Sequence, residues 1–349
     1  MAFSTAHSAG RSPLPEWVRS LARYEARGWR PGIIQLITTI LPYLALLATM
    51  FATVVLGFPY WIVLALTLPA SLFLVRTFII FHDCTHGSFF PSNRANRVVG
   101  FITGVLTFTS FEPWRISHLR HHATNGQLDH RGFGDVMTMT LEEYRQASIW
   151  KRLGYRLYRN PLVMNVLGSI YTFLIGNRFA GIRQSPAERR SAILTNAGIL
   201  AMAVGLSLTF GLTTYLLVQL PVIFIAGIMG VWLFYVQHQF QPGYWEHDES
   251  WDRVDAAMQG ASYYRLPGIL RWFTGNIGVH NVHHLRPRIP GYRLYEAYRD
   301  VPETHAARPL TLWRSLGAIR CNLWNEAQRR FMSFREAARL IRTRSVQKA

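Results

Sequence analysis

Two long stretches of this chain carry no charged residue: 31–75 and 191–245. A bilayer core of ~30 Å needs ~20 apolar helical residues. Each stretch is therefore long enough for two crossings and a turn. Turns are expected at Gly57-Phe-Pro-Tyr60 and at Gln219-Leu-Pro221. Only helices and closed barrels satisfy their backbone groups in lipid, and runs of this length are helical in type. The pattern predicts an all-α integral membrane protein with four transmembrane helices. They form two hairpins, residues 32–81 and 191–240, within a single membrane domain. Residues 1–30 read as an arm with an interfacial helix over 15–28, where Trp17, Leu21 and Tyr24 alternate at helical spacing with Arg19, Arg23 and Arg27. Residues 82–190 and 241–349 supply a helical cap in two parts. Within it, 98–111 is apolar but too short to span, which suits a buried or re-entrant helix presenting a second helix over 114–125. The apolar run 161–175 is also too short and is placed in the interface. An acidic-aromatic insert fills 246–284, and a basic amphipathic tail follows from 285.

Charge orients this arrangement. The formal net charge is +18. Arginine and lysine are concentrated in the arm, the cap and the tail, and both hairpin turns are uncharged. The positive-inside rule then puts both termini and the cap on the cytoplasmic side. Attraction to anionic headgroups accounts for the basic excess, so no nucleic-acid partner is expected. The two cysteines, Cys84 and Cys321, are too few for a disulfide framework and would stay reduced there. No signal peptide is expected, because Arg11, Pro13, Pro15 and Glu16 precede any apolar run.

Three histidine clusters adjoin the apolar stretches: His82-Asp-Cys-Thr-His86, His118-Leu-Arg-His121-His122 and His280-Asn-Val-His283-His284. They hold eight of the thirteen histidines. On a helix, His82 and His86 fall within about 40°, and His118, His121 and His122 within roughly 100°. A lone HxxxH is more often packed or solvated than ligating. Three such clusters beside membrane-length segments point to metal, and eight imidazoles exceed what one ordinary site takes. Two metals are expected. Cys84 reads as a small packing residue in this imidazole-rich setting, and His238 by itself reads as an interfacial side chain.

A metal site fed from lipid suits chemistry on a long hydrocarbon. Unactivated C–H bonds need an oxidant made from O₂ at iron, with electrons supplied from outside. Soluble di-iron bundles use carboxylates, but only Asp83, Glu112 and Asp135 lie near these clusters. Carboxylates here would orient imidazole N–H groups; a solvated or helix-capping role is an equal reading for Asp83 and Asp135. Two further readings are an acyl, alkane or carotenoid hydroxylase, ketolase or epoxygenase on the same frame, and a metal transporter or sensor. The last fits poorly, because transporters place ionisable residues inside their spans.

The chain resembles the membrane fatty acid desaturase family over about 81–294. The resemblance rests on His82-Asp-Cys-Thr-His-Gly-Ser-Phe-Phe90, Trp114-Arg-Ile-Ser-His-Leu-Arg-His-His-Ala-Thr124, Gly132-Phe-Gly-Asp135, Gln237-His-Gln-Phe240 before Tyr244-Trp-Glu246, and Gly275-Asn-Ile-Gly-Val-His-Asn-Val-His-His284 leading to Pro287-Arg-Ile-Pro290. It looks most like the bacterial and plant-type omega-6 (delta-12) branch. The resemblance implies a non-haem di-iron centre held by His82, His86, His118, His121, His122, His238, His280, His283 and His284, with O₂ as co-substrate. It replaces the interfacial reading of His238. The stearoyl-CoA branch has an Asn one turn before its isolated histidine; Phe234 stands here, and Asn276 is the substitute considered. The expected substrate is a lipid-linked or thioester acyl chain of oleoyl type, in a tunnel near Trp114, Tyr235 and Trp272. With no cytochrome b5 motif at either end, electrons are expected from a separate carrier, ferredoxin or cytochrome b5, on the basic face. The tail lacks a retrieval signal, so a bacterial inner membrane is expected.

Overall fold

The computed structural model describes residues 13–132, 134–179 and 184–346. Arg11 of the arm, Phe133 and the terminal Ala349 lie outside them. Among the described residues four helices are long and apolar enough to cross a membrane: α1 (Trp29–Val55), α2 (Trp61–Thr85), then, after the cap helices α3 (Asn93–Leu106) and α4 (Phe111–Thr124), α5 (Pro186–Phe210) and α6 (Leu212–His238). α2 and α6 are the inner pair. They pack most extensively on each other and share the core of Leu74, Val75, Val218 and Val222. α5 has almost no fully buried residue along its apolar window, as befits a helix facing lipid.

The first hairpin turns where expected, between Val55 and Trp61. The second does not. Its turn is Gly211, whose φ of +89° suits a residue without Cβ, whereas Gln219 and Pro221 lie inside α6. Proline within a helix frees the carbonyl four residues before it. Here that carbonyl is Leu217 O, and the Tyr60 hydroxyl from the other hairpin's turn donates to it at 3.0 Å. The cost of Pro221 is thereby met by a neighbouring element, as membrane helices allow. The same bond puts both turns on one side, opposite the histidines. α5 begins earlier than the uncharged stretch, because Ser185 and Glu188 form a capping box with Pro186 at the first turn.

The arm also differs from expectation. Its helix breaks into Glu16–Ser20 and a 3₁₀ turn Leu21–Glu25, ending at the extended Ala26. Leu21 and Tyr24 are buried in the protein's own core with Leu294 and Ala297, not laid on a headgroup boundary. The Tyr24 hydroxyl bonds Asp300 at 3.0 Å.

The short helix expected over 98–111 is present as α3, Asn93–Leu106. α3 runs back along the end of α2, where a Cβ on Gly100 would press on Cys84 and one on Gly104 on Phe81, and the chain returns so tightly that the same atoms would overlap Phe111 and the Thr109 carbonyl. The chain reverses at Phe108 and returns as α4. The run 161–175, expected in the interface, exposes Leu162, Leu167, Tyr171 and Ile175 and turns Met164 and Ser169 inward. It forms two π-helical turns, Val163–Leu167 and Tyr171–Ile175, around a short α-turn. The rest of the cap is held by small sheets. β1 (Met139–Thr140) pairs in parallel with β4 (Leu323–Asn325), which pairs antiparallel with β5 (Arg330–Met332). β2 (Tyr263–Arg265) pairs in parallel with β3 (Pro309–Thr311). The third histidine cluster forms the short helix α7 (His280–Leu285), followed by α8 (Gly291–Asp300).

Candidate metal centre

The nine histidines named from sequence lie together. They fall into two groups whose ligand-capable nitrogens are within 4.8 Å of one another: His82, His86, His118, His122 and His283, and His121, His238, His280 and His284. Four elements meet to build them: the ends of α2 and α6, helix α4 and helix α7. Each three-histidine cluster is shared out. The i, i+4 pair His118 and His122 serves one group while His121 serves the other. In α7 the pair His280 and His284 serves the second group and His283 the first. Residues at i and i+4 are about 40° apart, so they aim at one point; the residue between them is turned towards the other.

The nitrogens point at each other. Nε2–Nε2 distances are 3.1 Å for His82–His283, 3.0 Å for His283–His122 and 3.1 Å for His122–His118. In the second group they are 3.0 Å for His121–His238, 3.0 Å for His238–His280 and 3.2 Å for His280–His284. Metal–imidazole bonds of ~2.1 Å set near right angles place their nitrogens about 3.0 Å apart. The buried Nε2 of His86 has no hydrogen-bond partner. Burial, and then the neighbouring histidines, hold His86, His118, His122, His283 and His284 well below the ordinary imidazole range, and push His121 down to about 3. These rings are neutral, the form that ligates. Convergent, closely spaced Nε2 atoms fit a pair of cations better than a hydrogen-bonded core.

Asp83 orients the site. Its Oδ1 lies 3.1 Å from His82 Nδ1 and its Oδ2 accepts from Gly291 N at 2.7 Å. A donor at Nδ1 leaves His82 Nε2 as a bare lone pair. A Cβ on Gly291 would sit 2.6 Å from the Gly275 carbonyl, so only glycine lets α8 start this close. His238 is oriented similarly, with Nδ1 3.3 Å from Gly260 O. Asp135 caps its own loop instead, accepting from Gly132 N at 2.8 Å. Asn276 is engaged away from the histidines, donating to Gly291 O at 2.8 Å. Cys84 is packed and in neither group, as read from sequence.

Beside the histidines lies a cavity of about 730 Å³ between α2, α4, α6 and the π-helical segment. Trp114 lines it and stacks on His118 at 4.2 Å between ring centroids. The other two aromatic residues expected there do not line it. Tyr235 is turned to the far side of α6, where its hydroxyl donates to Ala318 O at 2.9 Å. Trp272 is on the surface, stacked under the Arg76 guanidinium at 3.8 Å. Their places are taken by Phe234, which also packs on His121 and His238, and by Phe173. Phe173 was missed because the run 161–175 looked interfacial; its lack of charge was the available signal.

A model of the fatty acid desaturase family matches residues 59–315. That is most of the chain, including both histidine groups. The chain belongs to the fatty acid desaturase family. It is 46% identical over 322 residues to a protein named fatty acid desaturase from Bacillus subtilis (strain 168), covering 92% of this chain and 90% of that one. An endoplasmic-reticulum omega-3 fatty acid desaturase from Vigna radiata var. radiata is 27% identical, over 73% of this chain and 69% of its own length. A chloroplastic sn-2 acyl-lipid omega-3 desaturase (ferredoxin) from Arabidopsis thaliana is 29% identical, over 67% and 52%. The chain is thus a membrane enzyme that desaturates fatty acyl chains, with histidine groups able to hold metal.

Proposed function

We propose that this desaturase is O₂-dependent and works at a non-haem di-iron centre. His82, His86, His118, His122 and His283 would hold one iron, and His121, His238, His280 and His284 the other. The observation that carries this reading is the division of nine imidazoles into two convergent groups beside one apolar cavity. Iron bound there would supply the oxidising power to remove two hydrogens from an unactivated chain, O₂ becoming two waters with two further electrons from the carrier and two protons from solvent. The protein's own part is positioning. Asp83 and Gly260 hold the His82 and His238 rings in register, Trp114 and Phe234 wall the cavity against them, and the buried site excludes bulk water. The substrate is an acyl chain, of oleoyl type by the likeness of the histidine boxes, giving a linoleate-type product. A separate one-electron carrier, ferredoxin or cytochrome b5, would reach the basic face; one plant relative carries ferredoxin in its name.

Expression in a bacterium without polyunsaturated lipids, followed by lipid chromatography, tests the reaction. A second double bond in oleoyl chains is the expected product. Conversion of saturated chains to the Δ9 monoene with oleoyl untouched would move the enzyme to another branch. Purified protein should carry two irons per chain, and one zinc without redox-active iron would sink the di-iron proposal.

The orientation we propose has both termini and the histidines in the cytoplasm of a bacterial inner membrane, after the arginine distribution. Cysteine reporters at Phe58 and Gly211, in the two turns, should label from outside, while one at Arg320 should not. External labelling at Arg320 would overturn it.

A further inference from the structure

The cavity is longer than the metal centre needs. Its polar end is formed by His82, His118, His280, Ser117, Tyr158 and Gln237. Its other end lies at Leu74, Val75, Ile223 and Ala226, all buried and continuous with the packed core of Val218 and Val222. Along α6, flanked by Ala226, Val231 and Leu233, one stripe faces it: Ile223, Gly227, Gly230, Phe234 and Gln237. These recur at three- and four-residue intervals, the spacing of one helix face.

Two residues of that stripe are glycine, and they differ. A Cβ on Gly227 would meet Phe173 at 3.2 Å and Ser169 at 3.3 Å, so this glycine lets the π-helical segment pack on α6. A Cβ on Gly230 would meet nothing within 4 Å. Packing therefore does not require glycine at 230. What the missing side chain leaves is open cavity, midway between the histidines and the apolar end.

We infer that Gly230 is the residue that admits the methyl-terminal part of the acyl chain into the apolar end and so sets how much chain lies beyond the oxidised carbons. The inference rests on reading the cavity as the acyl site. Its direction follows from polarity: the purely apolar end suits a methyl terminus, and the ester or thioester belongs at the other. From Gly230 to Ile223 is seven residues, or about 10 Å at a rise of ~1.5 Å. An extended chain advances about 1.2 Å per bond, so a side chain at 230 would cut off room for roughly eight carbons. Valine or leucine there meets no neighbour at its Cβ and fills this passage. Phe234 and Phe173, already large, narrow it from the other sides.

The test is a graded series, Gly230→Ala, Gly230→Val and Gly230→Leu, with Gly205→Leu as control. Gly205 is exposed on α5, a Cβ there meets nothing, and it does not line the cavity. Two readouts are used: the products formed from myristoyl and oleoyl chains, and equilibrium binding of labelled myristoyl and oleoyl methyl esters to solubilised, metal-free protein. The oleoyl-to-myristoyl binding ratio should fall progressively with side-chain size, by about tenfold or more in Gly230→Leu, the discrimination a hydrophobic pocket makes over a few methylenes. Any double bond still made should move towards the methyl end. Gly205→Leu should match the wild type. An unchanged binding ratio and double-bond position in Gly230→Val and Gly230→Leu would overturn the inference. Wild-type protein that binds both esters but oxidises neither would instead count against the proposed reaction, leaving the binding series to decide the role of Gly230.

Discussion

His283→Ala is expected to abolish desaturation, by at least about a hundredfold, while the protein still inserts in the membrane. His283 is the bridge of the first group, with its Nε2 3.1 Å from His82 and 3.0 Å from His122. Loss of a partner that merely orients a metal ligand costs ~10–100-fold, so loss of a ligand costs more. The residue sits in the short cap helix α7 and contributes to no membrane span. The second group lacks His283 and should keep its metal. Metal analysis of the purified variant should therefore read about half the wild-type content. Full metal content with full activity would remove His283 from the centre. Full loss of both metals would show that the groups do not fill independently.

Asp83→Ala should produce the next largest effect, a fall of about 10–100-fold in metal affinity or turnover. Asp83 is buried and joins two elements, His82 on its own helix and the start of α8 at Gly291. Alanine frees the His82 ring to turn and leaves the Gly291 N–H buried without an acceptor. An unpaired buried donor costs ~1–3 kcal/mol, so the variant should also unfold at lower temperature in a detergent melt. Asp83→Asn retains an acceptor for Gly291 and separates the two effects. It should recover most of the stability and less of the activity. If Asp83→Ala binds metal as tightly as wild type, the carboxylate has only the structural role.

The charge-free runs were enough to locate four spans, because lipid imposes a length and a composition that nothing else in a chain of this kind requires. They were not enough to locate the second turn. Pro221 signalled a break, but that signal counts only when the freed Leu217 carbonyl has no partner, and Tyr60, distant in sequence, supplies one. The same limit governs the arm, where Trp17, Leu21 and Tyr24 show an apolar face without saying whether lipid or α8 covers it. It governs Tyr235 and Trp272 too. Both are aromatic and near the site in sequence, yet the turn of α6 and the surface position of Trp272 direct them elsewhere.

Sequence alone determined which residues could ligate, since spacing on a helix is local geometry: His82 with His86, His118 with His122, and His280 with His284 must each aim one way. The structure turns their neighbours His121 and His283 to the opposite groups. Only the tertiary structure decided which of these pairs would meet, that His238 would complete the group of four, and that Gly230 would open on empty space. Those outcomes depend on how α2, α4, α6 and α7 are held against one another. That is settled by contacts between residues up to some two hundred positions apart, such as Asp83 with Gly291, and no local pattern encodes them.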